Sequence, residues 1–407
     1  MIITRLYKNI FSLFFVQILS YLVPFIVLPY LTRILGAEGF GSVAIGLSIS
    51  AFSMIVTDFG FNLSGTRWIA LNSSKKHKTA KYLGAVFSIK LILLILSLSI
   101  LLMVALFKKS SIFSLDAIIG LVLLFVSQAF QINWFFQGIE KMKYIACSVL
   151  FSRFLYVVII LNLVVDDQDW FLVFYAMAFS NLMLIMFSIL FLYKENFYIA
   201  LPRKLNIKFV FQDSLSFFIS RLSVGLYTSI SVFFVGSFSG VMQAAMYSCA
   251  EKIYQAGQAA TSPISQALYP YIVKSKDINK LYKLTFLLLL PVSAFSICGF
   301  LFSEYILDIL YGSEYRSADE ILKVFSIILA VNFISVNFGY PAFAYIKKLN
   351  VVNYSVHAGS ILHLLLLLCL FLIDGINALN VSLSILLIES LVMIIRVSAF
   401  VNYVRQK

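Results

Sequence analysis

The sequence predicts an all-α, polytopic membrane protein. The expected architecture is twelve transmembrane helices in two six-helix bundles around a central cavity, with both termini cytoplasmic. Three observations carry this prediction. Of 407 residues, 61% are hydrophobic and only 12% charged, about half the charged fraction of a soluble domain. Apolar stretches of about 20 residues, the length that crosses a bilayer, recur along the whole chain. The basic residues fall almost entirely on one side of those stretches.

The first stretch, 10–31, follows Arg5 and Lys8. It is too long for a signal-peptide core and no A-x-A site follows, so it reads as a retained span. Gly36, Gly39 and Gly41 then allow a sharp outer turn with positive φ. Further spans are expected at 42–62, 82–107, 115–136, 145–165 and 171–192. A polar, basic linker at 193–210, with Pro202, divides the chain into an N-terminal lobe, 1–205, and a C-terminal lobe, 206–407. The second lobe reads as spans at 211–236, 242–270, 282–302, 320–340, 351–373 and 381–403. A shift of 204 residues lays Ser12–Gln17 over Ser216–Arg221 and Gly36 over Gly240, which suggests a parallel internal repeat.

Loop charge sets the orientation. With the N-terminus inside, 21 of the 31 Lys and Arg lie on the cytoplasmic side and 4, Arg33, Lys108, Lys109 and Arg316, lie outside. The outer loops are acidic, with Asp166, Asp167, Asp169, Glu304, Asp308, Glu314, Asp319 and Glu320. The net charge of +13 is therefore topological, and nucleic acid is not an expected partner. Cys147, Cys249, Cys298 and Cys369 all sit in apolar runs without a CxxC pair, so no disulfide framework is expected. His357 and His363 are six apart, on different helix faces, and no metal site is expected.

The remaining six cations lie inside predicted spans: Lys90, Arg153, Arg221, Lys252, Lys323 and Arg396. A cation at the bilayer centre costs roughly 3 kcal/mol on insertion scales. Lys323 is one turn from the outer surface and can snorkel. Asp58 lies near the level of Lys90 and can pair with it. Glu251 can meet Arg221, and Glu389 shares a helix face with Arg396 seven residues on. One reading is a set of structural ion pairs. The other is a wet, cationic cavity suited to an anionic substrate, since the cations outnumber the deep acids. Span 242–270 supports the second reading. It carries Gln243, Glu251, Lys252, Gln255, Gln258, Thr261, Ser262, Ser265 and Gln266, which lipid does not tolerate on all sides.

No phosphate loop GxxxxGK[ST], GxSxG or HExxH occurs. The run Asp166–Asp169 reads as a solvated turn. An enzyme is not expected, and no cofactor beyond a coupling ion, H+ or Na+.

Four strings carry a family resemblance: LPYLTRILGAEGFG (28–41), DFGFNLSGTRWIA (58–70), MYSCAEKIYQAGQAATSPISQALYP (246–270) and LYGSEYRSADEIL (310–322). They resemble the polysaccharide-transporter family, the O-antigen and lipid-linked oligosaccharide flippases, in the wider superfamily that includes multidrug exporters and lipid II flippases. The resemblance implies two six-helix bundles that open alternately around a cationic cavity, in the bacterial inner membrane. The expected substrate is an undecaprenyl-pyrophosphate-linked oligosaccharide, with membrane lipid and downstream glycan polymerase machinery as partners. The expected substrate-binding cations are Arg153, Arg221, Lys252, Arg396 and Lys90. The expected gating or ion-coupling residues are Asp58, Arg67, Glu251, Glu389 and Arg33. Arg67 is placed to reach lipid phosphate or Asp58. Two alternatives stay open: a multidrug or small-solute exporter of the same architecture, for which an excess of deep acids is expected, and a membrane glycan polymerase or ligase, for which a large outer loop is expected.

Overall fold

The structure is a computed structural model that describes residues 2–107, 111–228, 230–275, 278–346 and 348–405. Side-chain surroundings are described from residue 23 onward within those ranges, except at 111, 226–228, 263–264, 266–267, 269–271, 273–275 and 344–345. Arg5, Lys8, Lys108, Lys109, Lys274, Lys276, Lys347 and Lys407 of the charge tally, the first arm of the repeat, and Gln266 fall outside that side-chain description.

Every described regular element is helical. In order these are α1 (Ile2–Asp58), α2 (Phe61–Asn72), α3 (Lys76–Phe107), α4 (Leu115–Ala129), α5 (Asn133–Gly138), α6 (Met142–Leu163), α7 (Leu172–Lys194) and α8 (Lys204–Thr228). There follow α9 (Ser231–Ser239), α10 (Val241–Ser275), α11 (Ile278–Leu301), α12 (Ser303–Tyr311), α13 (Asp319–Asn337), α14 (Tyr340–Tyr345), α15 (Asn350–Leu372) and α16 (Ala378–Arg405). Three short 3-10 turns lie at Ser111–Phe113, Asp167–Phe171 and Ser313–Ala318.

Among the described residues, nine helical stretches are long and apolar enough to cross a membrane. The first, Val23–Asn72, runs the first two predicted spans together. The predicted seventh and eighth spans fall on α8, α9 and α10, which are not among the nine. α9 has only nine residues, too few to cross, and the other two are polar: α8 carries Lys208, Asp213 and Arg221, and α10 carries Glu251, Lys252, Gln243, Gln255 and Gln258. The protein is a multi-pass membrane protein.

The chain forms two compact units. The first comprises residues 1–35 and 46–225, the second 36–45 and 226–407. In the first unit, the core gathers where α2, α3, α5 and α6 meet. Trp68 stacks on Tyr82 with centroids 4.0 Å apart, and Trp134, Phe135 and Phe136 pack behind them. In the second unit, Phe338, Phe343 and Phe400 form one cluster and Val292, Leu329 and Phe333 another.

The helix break inside α1 is at Gly36, with φ 61° and ψ −175°. Gly240, 204 residues on, ends α9 with φ 93° and ψ 166°. Both conformations belong to the region that is essentially reserved for glycine, so the two arms of the repeat share a backbone device. Gly41 serves a different purpose from the expected one. It lies within the helix after the break, and a Cβ there would sit 2.0 Å from the Val241 carbonyl oxygen. Gly41 therefore permits a close backbone crossing, not a turn.

The linker after α7 is docked, not loose. Glu195 accepts hydrogen bonds from Lys141 and, at 2.6 Å, from the Tyr144 hydroxyl. Its own carbonyl accepts from Lys76 at 2.7 Å. Phe197 is buried beneath the Lys76 ammonium and against Phe135. The Ala200 amide donates to the Ala80 carbonyl at 3.1 Å. Burial pushes the Glu195 carboxyl up, but the hydrogen bonds from Lys141 and Tyr144 and the charges of Lys141 and Lys76 outweigh it, leaving a value below the usual carboxylate range. A carboxyl with a depressed folded value stabilises the fold above its unfolded pKa, and that contribution fades as pH falls through the folded value. Glu195→Gln should therefore lower stability by roughly 1–3 kcal/mol at neutral pH. In thermal melts of purified protein, the gap to wild type should close as the pH drops below about 4, the ordinary glutamate range.

Asp166–Asp169 is a capping device. Asp166 caps the following 3-10 turn, and the Asp169 carboxylate accepts from the amides of Val165 and Asp166, each at 3.0 Å.

Candidate functional site: the intramembrane charges

In the first unit, Lys90 sits on α3 and is 2% exposed. Its ammonium donates to the carbonyl oxygens of Ala129 at 2.7 Å and Gln131 at 3.3 Å. Ala129 is the last residue of α4 and Gln131 lies in the gap before α5, where a helix ends with unsatisfied acceptors. A cation at such an end satisfies the acceptors and complements the helix dipole. Asp58 closes α1 immediately before the Phe59–Gly60 break, with Lys90 and Arg221 as cationic neighbours. The Asn62 backbone and side chain donate to its carboxylate, while its Oδ2 is buried and lacks a hydrogen-bond partner among the described residues.

Arg67 on α2 pairs with Asp213 on α8 at 2.6 Å, and its guanidinium lies 5.4 Å from the Phe217 ring. Asp213, not the expected Asp58, is the partner of Arg67. Beside this pair, Ser64 and Ser214 share a 2.8 Å hydrogen bond, and Phe59 stacks on Phe211 and Phe218. These contacts hold α8 against α2. Arg153 is half-buried on α6, beside Tyr156. Arg221 is exposed on α8, and Arg33 is exposed one turn before Gly36.

In the second unit, Glu251 is buried on α10, and the neighbouring Lys252 donates to Gln255 at 2.9 Å. Gln243 accepts from the Ala378 amide at the start of α16 at 3.2 Å, and polar residues further along α10 turn toward α13. Gln258 donates to the Tyr254 hydroxyl at 2.6 Å and to Asn332 Oδ1 at 3.0 Å, and Ser265 donates to Asn337 at 2.9 Å. Asn332 in turn donates to Glu389 Oε2 at 3.3 Å. Glu389 and Arg396 on α16 are each 7% exposed. They line one cavity of about 250 Å³ between α13, α15 and α16. Arg396 Nε donates to Ser355 at 2.9 Å, and its Nη1 donates to the carbonyl and hydroxyl of Ser335 at 3.0 and 3.1 Å. Lys323 pairs with Asp319 and Glu320 at 2.8 Å in the first turn of α13.

The structure thus brings Asp58, Lys90 and Arg221 together in one unit, and Glu389 with Arg396 in the other. Asn332, Ser335 and Ser355 were not singled out from sequence. An asparagine within the apolar run of α13 was the available signal for the first. The two serines carried none, because serine is common in packed membrane helices.

The family profile described as "Polysaccharide biosynthesis protein" matches residues 6–276, most of the chain. A "Putative O-antigen transporter" of Shigella dysenteriae is 29% identical over 367 residues, covering 88% of this chain and 91% of that protein. A protein of the same name from Escherichia coli (strain K12) is 27% identical over 331 residues, covering 78% and 79%. Among solved structures, a lipid II flippase MurJ in an inward closed conformation aligns with a TM-score of 0.73 at 15% identity, covering 97% of this chain and 87% of that one. An inward-facing MATE-family multidrug transporter of the MOP superfamily aligns with a TM-score of 0.72 at 14% identity, covering 95% and 96%. These likenesses establish the two-lobe transporter fold, and the profile match establishes the family: the chain belongs to the polysaccharide biosynthesis protein family.

Proposed function

We propose that the protein flips an undecaprenyl-pyrophosphate-linked oligosaccharide, an O-antigen or similar repeat unit, from the cytoplasmic to the outer leaflet of the bacterial inner membrane. Twelve crossings in two lobes, 1–205 and 206–407, alternate in access, and no bond is made or broken. Downstream glycan polymerase machinery then receives the product. The observation that carries this reading is the surplus of cations within the spans expected from sequence. Lys90 is held by two backbone carbonyls and Asp58. Arg153, Arg221, Lys252 and Arg396 remain, against Glu251 and Glu389. A pyrophosphate needs such a surplus, whereas a cationic drug needs the reverse. The names of the relatives agree with the reading.

The test is complementation of a bacterial strain that lacks its own flippase. Wild type should restore surface glycan and clear accumulated lipid-linked units. Combined Arg153→Gln, Arg221→Gln and Lys252→Gln should lower surface glycan at least tenfold at equal protein level. Export of dyes without glycan rescue would transfer the protein to the drug-exporter class.

An ion gradient, H+ or Na+, drives the cycle in this reading, with Asp58 or Glu251 as carrier. What supports it is a buried carboxylate in each unit. Asp58→Asn with Glu251→Gln should abolish the sensitivity of glycan export to ionophores. Unchanged transport and unchanged sensitivity in that double variant would remove the coupling.

A further inference from the structure

The cavity between α13, α15 and α16 holds two opposite charges in one space. Glu389 and Arg396 both line it, with Asn332 and Tyr340, and the remaining wall is aliphatic, chiefly Val336, Val356 and Val392. Both charges are built in: Asn332 donates to Glu389, and Ser335 and Ser355 hold the Arg396 guanidinium. Along α16, Glu389 lies about 17 Å from the start and Arg396 about 14 Å from the end, at 1.5 Å per residue. The cavity therefore sits in the middle third of the helix, the depth at which transporters bind substrate.

The contents follow from the chemistry. An anion there meets Glu389, a cation meets Arg396, and a purely apolar ligand leaves both charges unsolvated. A neutral polyol meets neither objection, because its hydroxyls both donate and accept. A carboxylate accepts hydroxyl donors, a guanidinium donates to ring and hydroxyl oxygens, and valine side chains suit the C–H faces of a pyranose. At about 250 Å³ the cavity exceeds the roughly 150 Å³ of an apolar cavity that admits a benzene ring, so it has room for a six-membered ring.

We propose that this cavity is a subsite for one sugar ring of the transported glycan, with Glu389 and Asn332 at its polar end and Arg396 opposite. The proposal rests on the oligosaccharide reading above and assigns part of the recognition to the second unit alone.

The probe is the repeat-unit oligosaccharide released from the host's surface glycan, free of lipid, added to the purified full-length protein in detergent. Saturation-transfer NMR should show transfer concentrated on the protons of one sugar residue. Val356→Phe, which fills the cavity, should remove that signal, and Glu389→Gln should weaken it at least fivefold. Thermal melting checks that each variant is folded, and Glu389→Gln supplies the comparison where Val356→Phe is not. No transfer with wild type, transfer spread evenly over all residues, or full transfer in a folded variant each overturns the subsite. Failure of the complementation test overturns the transport reading separately, whatever the NMR result.

Discussion

Lys90→Ala should destabilise the protein by about 3–5 kcal/mol, the range for removing one partner of a buried charged cluster. The ammonium is 2% exposed, and three groups depend on it: the carbonyls of Ala129 and Gln131 and the carboxylate of Asp58. Alanine leaves the two carbonyls without their cation and the Asp58 carboxylate with Arg221 alone. The measurement is the denaturation midpoint of purified protein in detergent. Asp58→Asn added to Lys90→Ala should recover part of the loss, because it removes one unbalanced charge. A coupling between the two positions of roughly 0.5–3 kcal/mol is expected from a double-mutant cycle. The carbonyl share should not be recovered. Full recovery by Asp58→Asn would show that the helix gap at 129–132 does not need a cation. A midpoint unchanged in the single variant would show that water reaches the site.

Gly41→Ala should cost about 1–3 kcal/mol or more, the range for overpacking a tight contact. The added methyl would sit 2.0 Å from the Val241 carbonyl oxygen and 2.7 Å from its carbon. A flexible side chain can yield to such an intrusion, but the backbone at the start of α10 cannot do so without moving the helix. Residues 36–45 are also tied to the turn at Ser313–Ala318. There Glu314 accepts from the Ala37 amide at 3.2 Å, and Tyr315 donates to the Gly36 carbonyl at 3.1 Å. A shift at Gly41 therefore strains both contacts. The melting temperature should fall, and Gly41→Val should be worse than Gly41→Ala. An unaltered melting temperature would mean that the two backbones are not in close contact.

Much of the fold was legible because its signals are local. Apolar length and loop charge depend only on neighbours in sequence, and most of each predicted span lies on helix among the described residues, although 115–136 crosses the gap between α4 and α5 and 211–236 the break between α8 and α9. The helix break at Gly36 was legible because the local string contains a glycine where no other residue suits the backbone. The common face of Glu389 and Arg396 was legible from a spacing of seven. Partners across the fold were not. Arg67 meets Asp213, 146 residues away, and Lys90 meets carbonyls 39 and 41 residues away. Backbone carbonyls carry no residue-type signal at all, so no inspection of side chains could have found them.

By itself, the sequence determined that this chain lives in a membrane, as helices, with more cations than acids inside its predicted spans. That follows from transfer energies, which each residue carries wherever it sits. The tertiary structure decided what each charge does. It tied Lys90 to a helix gap and Arg67 to Asp213, and it set Glu389 and Arg396 facing the same cavity. The cost of burying a charge is a property of the residue, but the group that offsets it is a property of position in space.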